Sequence, residues 1–142
     1  MKKTLSVVIA LIVLLLLSSC TSERIKIEDR AWKMRYAMHG EDDKLIIDAV
    51  DKEDETHPEA KLTDITLTAR DGKITITDST NDKTYEGTYS VESRTLREIN
   101  YKITIDGREG YATVAMTTYA DGSEEPTLPI NLGEYSLYFY AE

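Results

Sequence analysis

The chain of 142 residues has one cysteine and two histidines. An internal disulfide is therefore excluded, and so is a Cys/His zinc centre, whose ligands cannot be assembled from one such chain. Nucleophilic catalysis lacks its usual groups: no thiol is available to His39 or His57, and no Gly-x-Ser-x-Gly turn presents a serine. No Lys/Arg cluster exceeds two residues, and 17 Lys and Arg face 26 Asp and Glu for a formal charge of −9. The basic footprint that nucleic-acid phosphates require is missing, and nucleic acid is set aside as a partner. The length admits one domain.

The apolar residues that do form a run stand at the beginning. Lys2 and Lys3 precede residues 5–17, which are apolar except for Ser6, and Ser18-Ser19-Cys20 follows. Thirteen helical residues reach about 20 Å at ~1.5 Å each, short of a ~30 Å hydrocarbon core, so the segment reads as a secretory signal rather than a permanent span. Leu17-Ser18-Ser19-Cys20 resembles the lipobox of bacterial lipoproteins. That resemblance implies that the Cys20 thiol receives a diacylglyceryl group carrying long acyl chains of the palmitate kind, and that cleavage makes Cys20 the new N-terminus. Two or more chains hold stably where one binds marginally.

Domain organisation is then a leader at 1–19, the lipidated Cys20 with a short tether to 30, and a folded domain at 31–142. Removing 1–19 leaves 123 residues and a charge of −11, because Lys2 and Lys3 leave with the leader. An anionic leaflet repels such a body, which is expected to stand off on a tether of residues 21–29, at most about 30 Å at ~3.3 Å each. Thr21 rather than Asp follows Cys20. By the same resemblance the protein is expected in the outer membrane of a double-membraned bacterium, or on the outer face of a single membrane.

From Ala31 onward the apolar period is two. Trp32, Met34, Tyr36 and Met38 alternate with Lys33, Arg35, Ala37 and His39, which predicts one strand with those four side chains on one face. Further strands are predicted at 45–50, 65–69, 74–77, 85–91, 99–105, 111–119, 128–132 and 135–140. Asp71-Gly72 and Asp106-Gly107 each separate two alternating runs, the strongest short-range signal for a hairpin. A third Asp-Gly, Asp121-Gly122, opens an acidic loop to Pro126, and Pro129 demotes its run to an edge or a bulge. Residues 93–100 are too short and polar for an independent helix and read as a connecting turn. Sixteen Thr after Cys20 fall mostly opposite the apolar positions, as on the outward face of strands.

Eight or nine strands joined mostly by tight turns describe an all-β, antiparallel up-and-down meander. Closure, or near closure, into a barrel would remove its exposed edges. Over about 31–142 the chain resembles small bacterial lipoproteins with a lipocalin-like domain. The resemblance is carried by Trp32-Lys33-Met34, Lys73-Ile74-Thr75-Ile76, Tyr85-Glu86-Gly87-Thr88-Tyr89 and Tyr135-Ser136-Leu137-Tyr138-Phe139. It implies a non-enzymatic module for a small apolar or amphipathic ligand, with Trp32, Met34, Tyr36, Tyr101 and Met116 as lining residues, because Met and aromatics adapt to apolar guests. The competing reading of those residues is a filled core, since an eight-stranded barrel is only just wide enough for its own side chains.

Asp51, Glu53 and Glu55 have the spacing that opens a calcium loop, but Thr56 stands where that loop needs Gly and Leu62 where it needs Glu. Neither metal nor cofactor is expected. These carboxylates, Glu41-Asp42-Asp43 and Glu124-Glu125 read as solvated acidic loops. They support the alternative function, a surface interaction module of the inhibitor or immunity kind that takes a basic protein partner.

Overall fold

A computed structural model describes residues 24–40, 44–48 and 63–142. The leader with Cys20 and the acidic loops at 41–43 and 51–59 lie outside these residues. The strands in chain order are β1 (Trp32–His39), β2 (Lys44–Asp48), β3 (Ile65–Arg70), β4 (Lys73–Asp78), β5 (Lys83–Arg94), β6 (Glu98–Ile105), β7 (Arg108–Thr118), β8 (Glu124–Leu132) and β9 (Tyr135–Ala141). A 3-10 turn at Ile27–Asp29 precedes them.

From β3 to β9 each strand pairs antiparallel with its successor. β9 then pairs with β1 from Trp32↔Ala141 to His39↔Tyr135, which closes the sheet. The other edge of β1 is shared: β3 takes Trp32 and Lys33, and β2 takes Tyr36 to His39. Eight strands thus form an up-and-down barrel, as the alternating runs predict, and β2 is a ninth that pairs with β1 alone.

Both Asp-Gly pairs predicted to join two strands make the predicted turn. Asp71 and Gly72 have φ of 51° and 78°, and Asp106 and Gly107 have 50° and 76°, so both central residues are left-handed as type I′ demands. At the third, only Gly122 is left-handed, and Tyr119 N–H donates to the Ser123 carbonyl at 2.9 Å.

Four expectations are corrected. The connection predicted at 93–100 is narrower, because β5 runs to Arg94 and β6 begins at Glu98; the Thr95 hydroxyl accepts the N–H groups of Arg97 and Glu98 at 3.2 Å and closes the turn between them. Glu124, Glu125 and Pro126 begin β8 instead of lying in a loop. Pro129 lies in a strand with neighbours on both sides, paired with Tyr138 of β9. The β7–β8 ladder passes from Ala112↔Ile130 to Ala115↔Thr127, and the pairs between are missing opposite the residue that has no N–H.

The fourth correction concerns β1. Its register against β9 shifts between Met34 and Tyr36, so Arg35 is the extra residue of a β-bulge. One inserted residue moves every later side chain to the other face. Trp32, Met34 and Ala37 are buried, whereas Tyr36 and Met38 leave the face they were expected to share with Trp32 and Met34.

Inside, Trp32, Leu67, Leu128, Ile130 and Phe139 are wholly buried, joined by Tyr101 and the isoleucines of β4 and β6. The N-terminal segment is part of this body: Ile27 is buried in the core and Ile25 packs against it. Ile25 and Ile27, expected in a tether, therefore belong to the folded body.

Candidate functional site

Three features could carry function: the interior at the N-terminal end of β1, a tyrosine-rich outer face, and the rim where the chain enters the barrel. At the first, the N-terminal segment is bonded down onto the core. Trp32 Nε1–H donates to the Ile27 carbonyl at 2.7 Å, and Ile27 N–H donates to the Tyr101 hydroxyl at 3.2 Å. Tyr101 meets the ring of Tyr89 edge-on at 5.7 Å between centroids, and the Tyr89 hydroxyl donates to the Glu28 carboxylate. Burial raises the Tyr101 pKa, with partial relief from the Ile27 N–H. Burial and then the bond to Glu28 push Tyr89 up to about 12. The Trp32 Nε1–H, the Ile27 N–H and carbonyl and the Tyr101 hydroxyl all have partners, as groups removed from water require.

The outer face is built by β1 and β9. Tyr36 stacks on Tyr138 with centroids 4.3 Å apart and planes 24° from parallel. Beside them the Arg35 guanidinium lies 3.8 Å from the centre of the Tyr140 ring. Tyr119, from the β7–β8 connection, donates its hydroxyl to Glu125 at 2.8 Å. Partial burial, then the proximity of Tyr140 and Tyr138, raises the Tyr36 pKa. The bulge creates this face, because it turns Tyr36 outward opposite Tyr138.

At the rim, a cleft of about 530 Å³ runs between Arg24 and Ile25 on one side and Leu96, Arg97 and Met116 on the other. Leu96, at the tip of the β5–β6 turn, is 85% exposed, and Met116 is 45% exposed.

The sequence-predicted lining residues are thus divided three ways. Trp32, Met34 and Tyr101 are together inside, Tyr36 is outside against Tyr138, and Met116 is at the rim. Sequence reasoning missed Arg35, Tyr138 and Tyr140 as members of one cluster. A signal existed: β9 is aromatic at successive positions, and one face of a strand cannot bury both sets. Cys20 lies outside the described residues, as do the carboxylates at 51–55, and among the described residues no cluster of His, Cys, Asp or Glu could hold a metal.

No protein-family model, curated protein or solved structure matches the chain. The fold is therefore assigned on geometry. An eight-stranded antiparallel meander closed by β1 and β9 fits a lipocalin-like barrel.

Proposed function

We propose that the protein is a lipid-anchored, extracytoplasmic and non-enzymatic binding module that meets a protein partner through the outer face of β1 and β9. The carrying observation is the Tyr36–Tyr138 stack with Arg35 over Tyr140, which places half-buried rings and an exposed guanidinium on the outer face of the sheet. Tyr and Arg are the residue types that dominate binding energy at interfaces, because they offer wide contact area at low entropic cost. The charge of the chain favours a basic partner, steered by the field of the acidic loops. The lipobox-like Leu17-Ser18-Ser19-Cys20 supports the anchor and the location outside the cytoplasm.

The apolar-ligand reading draws less support. Trp32 and Phe139 are 0% exposed and Tyr101 2%, so a guest among them would have to displace packed side chains. A photo-crosslinking residue at Tyr138, with one at Lys102 on β6 as control, tests the proposal in intact cells. A discrete adduct at 138 alone is expected, and in the purified pair Arg35→Ala should weaken binding about tenfold, or ~1.4 kcal/mol. Equal labelling at both positions, or an apolar dye that saturably shifts Trp32 emission, would overturn it in favour of non-specific contact or a ligand carrier.

A further inference from the structure

The chain enters the barrel at Arg24, beside a rim that carries an exposed leucine and several arginines. Leu96 projects from the β5–β6 turn with Arg94 and Arg97 on either side of it, and Arg24 and Ile25 face it across the cleft. Among the described residues none of the three arginines makes an ion pair. The cleft also holds two carboxylates that keep their charge: Glu98 accepts from Asn100 Nδ2 at 3.4 Å and Glu124 from the Thr118 hydroxyl at 3.2 Å. An exposed leucine between cations is how a surface meets a bilayer interface, the apolar tip entering the acyl boundary while the guanidinium groups stay with the phosphates.

Chain length sets the distance. Residues 21–23 alone separate Cys20 from Arg24, so the two Cα atoms can be no more than about 14 Å apart at ~3.5 Å per residue. The opposite end of the barrel lies beyond the eight residues of β1, about 26 Å at ~3.3 Å each. A lipid on Cys20 must hold the Arg24 end, and no other, against the membrane.

We infer that the Leu96 rim docks on the bilayer surface, with Leu96 inserted and Arg24, Arg94 and Arg97 on lipid phosphates. This rests on the lipid-anchor reading of Cys20 and replaces the picture of a body standing off on a long tether. The barrel is then oriented, with its opposite end turned away and the Tyr36–Tyr138 face upright for a partner.

Leu96→Cys, and Glu134→Cys at the opposite end as control, introduced into the full processed chain in phosphatidylcholine–phosphatidylglycerol vesicles, provide the test with an environment-sensitive thiol dye. Cys20 is the sole native cysteine, and acylation blocks its sulfur. The chain without an added cysteine must therefore take no dye, and dye uptake by it overturns the anchor and the docking with it. With that control clean, blue-shifted emission at 96 that spin-labelled lipid quenches, and water-like emission at 134, is expected. Water-like emission at both positions overturns docking and leaves the anchor standing. Adding Arg94→Glu and Arg97→Glu should reduce quenching at 96 by about half or more, and unchanged quenching would overturn the role of the arginines.

Discussion

Trp32 is held by packing and by one hydrogen bond, and the two contributions can be separated. Trp32→Ala deletes a wholly buried ring and should cost about 3–5 kcal/mol in denaturant unfolding. Trp32→Phe keeps most of the volume but leaves the Ile27 carbonyl without its donor, a loss of about 1–3 kcal/mol. Tyr101→Phe does the same to Ile27 N–H. Because both bonds fix one residue, the two losses should be less than additive in the double variant. Tyrosine ionisation offers a second measurement. Tyr89 keeps its proton in the fold to about pH 12, whereas the unfolded chain loses it near 10. Its contribution to stability is therefore complete below pH 10 and falls as pH rises from 10 to 12, where the unfolded state binds fewer protons. Tyr89→Phe should flatten that decline, read from base-induced unfolding followed by tyrosinate absorbance. The inward positions of Trp32 and Tyr101 were legible from alternation. Their link through Ile27 was not, since nothing local in residues 24–29 shows which part of the barrel they meet.

At the scale of elements, the glycines separate backbone conformation from space. Gly107 has φ of 76° and open room around its Cα, so Gly107→Ala should cost only the left-handed conformation, about 1 kcal/mol. Gly87 on β5 and Gly110 on β7 have ordinary φ, but a Cβ would run into the Thr104 and Asn131 carbonyl oxygens of the neighbouring strands. Such glycines mark close backbone approach where a sheet bends. Gly87→Ala and Gly110→Ala should therefore cost more, about 3 kcal/mol each, as lower denaturant midpoints at an unchanged slope. The same contrast explains what the strands revealed in advance. The Asp-Gly hairpins were legible because a turn's φ demands are met within two residues. The bulge at Arg35 was not, because the repeat Trp32, Met34, Tyr36, Met38 continues unbroken through it, and only the register against β9 interrupts it.

For the whole molecule, the closure between β1 and β9 joins the two ends of the domain, and the proposed anchor is open to a direct test. Cys20→Ala in the full chain should leave the precursor uncleaved at residue 20 and without lipid; a variant that still matures there and still sediments with membrane would remove the lipobox reading. Far-ultraviolet circular dichroism should show strand with little helix, in keeping with nine strands and one 3-10 turn among the described residues. What the sequence determined alone is the strand content, the order of strands and the place of the tight turns, because alternation and left-handed φ act between residues one or two apart. Tertiary structure decided the outward turn of Tyr36, the pairing of β1 with β9, the sharing of β1's other edge by β2 and β3, and the burial of Ile27. Each of these depends on which strand or core surface arrives beside a residue from far along the chain, and a periodic pattern carries no record of its partner.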